Sequence, residues 1–260
     1  MTLELVYAVV LALGAAFIGG LVGGFALMRR MSLAGDAVSH IALPGLGMAL
    51  LLKFNPLLGA AFTLLLGSLL IWRLETQTRL DAEAVVGVVF SASLALGGLL
   101  TPKDDLVEAL FGSFRPPSAL EFVAAALLTL AIVIGLYRWK DGFVLNLFSS
   151  ELAASIGLNR SQLDLAFSII FAMTVLLVLR FLGALLAGAL IVIPPAVARH
   201  WTSRLHPFFT ISAIVSVGSV AGGAGFAAYR NVSLGPAVVM VASGAFVLSI
   251  LFRRRPMRSR

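Results

Sequence analysis

Long apolar runs alternate with short polar connectors along the whole chain. The runs fall at about 5–28, 37–53, 56–73, 82–100, 118–137, 162–179, 182–198, 206–228 and 233–252. Most approach the roughly 20 residues that carry an α-helix through a bilayer core, so the pattern predicts about nine spans. Pro44, Pro194 and Pro195 lie inside apolar runs, where a proline removes a backbone donor and bends or breaks a helix. The Pro194-Pro195 pair can divide its run into two half-helices, which puts the number of crossings between eight and ten. The longest connectors, 101–117 and 138–161, leave no soluble domain. No exact internal repeat is visible, although inverted repeats can hide at this level of divergence. The expected fold is all-α: a polytopic integral membrane helical bundle, with residues 1–260 forming a single transmembrane domain.

Composition agrees with this reading. Hydrophobic residues make up 60% of the chain and charged residues 12%, and the mean hydropathy is +1.04. The 25 glycines suit membrane helices that approach closely. Cysteine is absent, which excludes a disulfide framework, a thiolate metal site and a thiol nucleophile. Met1-Thr2-Leu3-Glu4-Leu5 lacks the basic start of a signal peptide, and no small-residue cleavage site follows, so the first run is expected to remain as a helix.

The positive charges orient the bundle. With the N-terminus outside, fourteen of the nineteen Lys and Arg residues fall inside. They include Arg29, Arg30, Arg73, Arg79, Arg138, Lys140, Arg160, Arg199, Arg204 and the C-terminal cluster. Lys53, Lys103, Arg115, Arg180 and Arg230 fall outside, with the acidic residues Asp104, Asp105 and Glu108. This bias predicts N-out and C-in. It also accounts for the net charge of +7 without a nucleic-acid partner. The tail Arg253–Arg260 reads as an anchor beside anionic lipid head groups.

Candidate chemistry is sparse. Asp36 and His40 are four residues apart at the front of the second run, a spacing that stacks a carboxylate and an imidazole on one helix face. Oxygen plus nitrogen suits divalent manganese, iron or zinc, and an ionisable pair bordering lipid is costly enough to point to function. The structural alternative is that Asp36 caps the helix after Gly35 and His40 hydrogen-bonds a neighbouring helix. In the charge-derived topology the pair lies near the cytosolic end, as an exit site or inner gate would.

The connector Ser149–Asn159 reads as a short cytosolic helix, with a serine cap and Gly157 as its stop. Such a helix either lies against the bilayer or docks into a groove on a cytosolic partner. Glu83, Glu121, Gln162 and Asp164 open apolar runs, where the helix macrodipole gives acidic groups a structural role. His200 and His206 flank an inside loop and face water or head groups. Gly222-Gly223-Ala224-Gly225 permits a close helix crossing. There is no Gly-x-x-x-x-Gly-Lys-Ser/Thr loop, no His-Glu-x-x-His and no Gly-x-Ser-x-Gly, so a P-loop, a zinc protease and a nucleophile elbow are excluded.

Six stretches carry a resemblance through their order and spacing. They are Gly35-Asp36-Ala37-Val38-Ser39-His40-Ile41-Ala42-Leu43-Pro44-Gly45, Glu83-Ala84-Val85-Val86-Gly87, Glu108-Ala109-Leu110-Phe111-Gly112, Glu151-Leu152-Ala153-Ala154-Ser155-Ile156-Gly157-Leu158, Gly188-Ala189-Leu190-Ile191-Val192-Ile193-Pro194-Pro195-Ala196 and Gly235-Pro236-Ala237-Val238-Val239. Over nearly its whole length the chain resembles the membrane permease of metal-importing ABC transporters, which carry manganese, zinc or iron into bacteria. The resemblance implies a homodimer in the bacterial inner membrane, two cytosolic ATPase subunits that hold the ATP, and an extracytoplasmic metal-binding protein. This chain would hold no resident cofactor, its divalent metal being cargo. Asp36, His40 and Asn231 would line the metal pathway.

Residues 149–158 match the family's coupling helix, with Glu151, Ala153, Ala154 and Gly157 at its core, while Pro44, Pro194 and Pro195 would serve kinking and gating. The first motif is closer to the manganese and iron branch than to the zinc branch. Many relatives carry an aspartate where this chain has Asn231 and a proline where it has Ser233. An amide still ligates through oxygen but brings no charge. Three alternatives stand beside the importer: an ATP-independent carrier or channel, a related permease for a non-metal cargo, and a membrane enzyme or structural subunit.

Overall fold

A computed structural model describes residues 3–31, 34–78, 80–100, 117–148, 156–230 and 232–252. Among the described residues there are ten helices and no strand: α1 (Leu3–Met28), α2 (Ala34–Ile41), α3 (Leu43–Leu51), α4 (Pro56–Gln77), α5 (Ala82–Leu100), α6 (Ala119–Phe148), α7 (Arg160–Leu182), α8 (Ala184–Trp201), α9 (Leu205–Arg230) and α10 (Leu234–Leu251). Eight stretches are long and apolar enough to cross a membrane, with α2 and α3 together forming one of them, Ala34–Leu51. The apolar part of α8, Leu186–Trp201, is shorter.

The prolines behave differently from one another. Pro194 and Pro195 lie inside an uninterrupted α8, which corrects the expectation of two half-helices there. The break comes instead at Ala42, between α2 and α3. Pro44 opens α3, where the missing N–H costs nothing because first-turn donors have no intrahelical partner. Pro195 cannot donate to the Ile191 carbonyl, yet α8 continues because that oxygen lies against Gly23 of α1. A Cβ at Gly23 would stand 2.3 Å from it. The glycine hydrogen in that place points at the carbonyl instead, giving a weak C–H···O contact.

A second difference concerns 138–148, expected as connector but forming the last turns of α6. Packing explains the extension. Phe143 meets Phe25 and Phe167 edge-on, each at 5.8 Å between ring centroids, and Gly142 lies against Leu163.

Helix ends show where the backbone is satisfied. Ser118 and Glu121 form a reciprocal capping box on α6, each side chain accepting from the other residue's N–H at 3.2 Å. Asn55 and Asn159 cap α4 and α7. The chain leaves α1 through a left-handed Arg30 (φ 59°) and α3 through a left-handed Lys53 (φ 57°). In both turns the following N–H reaches back to a carbonyl five residues earlier, Met31 to Ala26 and Phe54 to Ala49, which is the Schellman arrangement. Gly183, at φ 91°, makes the tight turn between α7 and α8.

α1 is the centre of the bundle, packed against α6, α7, α8 and α9. Ser212 and Ser216 of α9 donate to its Gly20 and Ala16 carbonyls at 2.6 Å. Small side chains and interhelical hydrogen bonds drive such crossings, because lipid supplies no hydrophobic force between helices. α2 lies between α8 and α5, and α3 against α4 and α5.

Candidate functional site

Asp36 and His40 share one face of α2, as their spacing predicts, with His40 Nε2 4.0 Å from Asp36 Oδ1. Asp36 belongs to the first turn of α2 rather than preceding the helix. Among the described residues no hydrogen bond engages its carboxylate, so the capping alternative finds no support. The Asp36 side chain is 62% exposed and that of His40 18%. The His40 ring packs edge-on against Phe90 at 5.6 Å, and its buried Nδ1 has no hydrogen-bond partner among the described residues. Packing therefore holds the imidazole, and neither nitrogen is committed as donor. Two metal–ligand bonds of about 2.0–2.2 Å span 4.0 Å only when nearly in line, so holding one ion between the two groups requires the Asp36 carboxylate to turn toward His40.

The height of the pair differs from expectation. Phe90, beside His40, is near the middle of α5, and Gly67, against the neighbouring Ile41, is near the middle of α4. Because the turn after α1 is so tight, α2 begins well inside the bundle: Gly35 and Gly23 contact the same residue, Ile191 of α8. His40 is thus at half-height, with Asp36 one turn closer to the Arg29 end. The reading of the pair as lying at the cytosolic end is corrected accordingly.

A polar cluster occupies the Arg29 end. Arg29 donates from Nη2 to Asp164 Oδ1, Asn146 donates to the same oxygen at 3.1 Å, and Arg160 Nε lies 3.5 Å from Oδ2. The Arg29 guanidinium also stacks on Phe167 at 4.5 Å. Burial pushes its pKa below the ordinary value, while nearby Glu75 acts in the opposite sense. Trp72 Nε1 donates to the Ser161 carbonyl at 2.9 Å. The start of α7, after the 149–159 connector, is thereby tied to Arg29 and to α4, and the end of α6, before it, to Asp164 of α7. Glu121 has the structural role expected of it, and Arg180 donates to it at 3.3 Å.

Among the other expected site residues, Glu151, Ala153, Ala154 and Asn231 lie outside the described residues. Gly157 adopts φ 80°, a conformation suited to glycine at a helix stop. No group of three or more His, Asp or Glu side chains able to hold a metal occurs among the described residues. Sequence reasoning did not identify Gly188 as part of the site. A Cβ there would lie 2.9 Å from Asp36 Cβ and 3.0 Å from its Oδ1. The only hint was a glycine in a motif of large apolar residues.

Comparisons with known proteins agree with one another. The family model described as the ABC 3 transport family matches residues 2–253. The high-affinity zinc uptake system membrane protein ZnuB of Haemophilus influenzae is 29% identical over 239 residues, covering 90% of this chain and 91% of its own. The manganese transport system membrane protein MntC of Listeria monocytogenes is 27% identical over 249 residues, covering 94% and 89%. Among solved structures, PsaBC from Streptococcus pneumoniae in complex with Fab matches with a TM-score of 0.82 at 23% identity, over 96% of this chain and 92% of that one. That last likeness is one of fold.

Proposed function

The chain belongs to the ABC 3 transport family, and from that premise we propose that it is the membrane permease of an ATP-driven importer of divalent transition metals. It is a multi-pass protein of the bacterial inner membrane. Two copies work with two separate ATPase chains and an extracytoplasmic metal-binding protein. The observation that carries this reading is the Asp36–His40 pair, at half-height on a broken span with its carboxylate on an exposed side.

Facing hydrocarbon there would cost a carboxylate roughly 2.5–3.5 kcal/mol or more. A second copy across a two-fold axis removes that cost and doubles the pair to two carboxylates and two imidazoles around one path. The first motif resembles the manganese and iron branch slightly more than the zinc branch, while named relatives include both zinc and manganese systems. Asn231 adds an uncharged amide oxygen to the path.

In this mechanism the binding protein delivers the ion outside, and ATP binding closes the ATPases. The segment around Glu151–Gly157 passes that motion to the helices as a rigid-body alternation. The ion sheds water and meets the transient oxygen and nitrogen ligands of Asp36 and His40. The pair acts as a central stop, weak enough to release its cargo.

Uptake of manganese, zinc and iron, measured with and without the cognate ATPase, tests the reading. We expect ATPase-dependent uptake that drops about tenfold or more in Asp36→Ala and His40→Ala, the scale of losing a metal ligand's support. Unchanged uptake in both variants, with protein present in the membrane, rejects the path role. Uptake without the ATPase identifies a carrier instead.

A further inference from the structure

We infer that the Gly188–Ile191 ridge of α8 is the seat that sets the position of Asp36, making Gly188 a positioning residue for metal transport. The inference rests on reading Asp36 and His40 as ligands of the path. A Cβ at Gly188 would meet Asp36 at three atoms: Cβ at 2.9 Å, Oδ1 at 3.0 Å and Cα at 3.2 Å. Two of these belong to the root of the side chain, not to its swinging end, so rotation alone cannot make room.

α2 has little space to retreat. Three residues along α8, Ile191 fills the gap between two glycines: a Cβ at Gly35 would stand 2.9 Å from its Cβ and Cγ2, and Gly23 lies against its carbonyl. On its other side Ile41 presses into Gly67 of α4, where a Cβ would be 2.5 Å from its Cγ2. Just past the break, Leu43 presses into Gly97 of α5, where a Cβ would be 2.6 Å from its own Cβ. The span carrying the pair is thus clamped between α8 and the α4–α5 pair by side chains set into glycine notches. A methyl at Gly188 displaces the Asp36 carboxylate itself and changes its 4.0 Å relation to His40. Metal selectivity depends on ligand geometry as much as on raw affinity, so the displacement alters which ion is passed as well as how fast.

The test compares Gly188→Ala, Asp36→Ala and Gly218→Ala in cells expressing the full importer, with manganese and zinc competing in one uptake assay. Gly218, with open space around the position of a Cβ, is the control. The expected result is an uptake lower by about tenfold or more in Gly188→Ala and a shifted manganese-to-zinc ratio at normal membrane abundance, with Gly218→Ala unchanged. If Asp36→Ala abolishes uptake while Gly188→Ala keeps both rate and ratio, the seat is wrong and the path reading stands. If Asp36→Ala leaves uptake intact, the path reading falls and takes the seat with it. Should Gly188→Ala fail to accumulate, Ile191→Ala decides, since it removes both the Cγ2 and the Cδ1 methyls that face Gly35, at 2.9 and 3.1 Å from the place of its Cβ, and adds no atom. A changed ratio supports the seat, and an unchanged rate and ratio overturn it.

Discussion

Asp164 shows how a single residue in this bundle can matter far more than its position suggests. It lies at the start of the second turn of α7, yet its carboxylate is nearly buried and receives Arg29, Asn146 and Arg160. Removing one partner of a buried ion pair leaves the other charged and unsatisfied, at a cost of about 3–5 kcal/mol. Asp164→Asn is therefore expected to lower thermal stability in detergent by that order. The paired replacement Arg29→Met with Asp164→Leu leaves no buried charge unpartnered, Arg160 being exposed, and should recover most of the loss. A single variant as stable as the parent would show that water already screens the cluster. The macrodipole argument assigned Asp164 a structural role but not this one, because its partner is 135 residues away and nothing local in the sequence marks the two as neighbours.

Between helices, glycine decides what can touch. Gly45 of α3 and Gly59 of α4 meet backbone to backbone: a Cβ on Gly45 would be 2.0 Å from the Gly59 carbonyl oxygen, and one on Gly59 2.2 Å from that of Gly45. Neither carbonyl can swing away, so Gly45→Ala is expected to destabilise by about 1–3 kcal/mol or more, the range for overpacking a tight contact. Gly98→Ala, at a helical site open around its Cβ position, should be neutral or slightly stabilising by propensity. Thermal unfolding of the two in the same detergent gives the contrast, and equal midpoints would remove the crossing from the account.

The spans themselves were legible because apolar length is a one-dimensional property. The run at 37–53 and the proline in it announced a bent span, but the break at Ala42 and the continuity of α8 through Pro194-Pro195 depend on what lies across from each proline. In α8 the opposite surface is Gly23, five residues before the end of α1 and in another helix. The Asp36–His40 face was readable from the i, i+4 spacing, whereas its height was not, since that follows from the tight turn at Arg30, a left-handed residue that carries no glycine signature.

At the scale of the whole molecule, charge predicts the orientation, and one experiment reads it. Fourteen basic residues on one side against five on the other favour N-out and C-in, because the translocated side disfavours Lys and Arg. The structure offers a ruler for this: Lys53 precedes α4 and Gln77 ends it, both exposed, and the 22 residues of that helix separate them by about 33 Å at the α-helical rise. The chain has no cysteine, so a single introduced thiol reports alone. In intact cells a membrane-impermeant maleimide should label Lys53→Cys, and Gln77→Cys only after permeabilisation. The reverse pattern would invert the bundle and turn the Arg29 cluster outward. It would also put the 149–159 connector on the side away from any ATPase, and ATP-driven import through this chain would then have no route for its coupling.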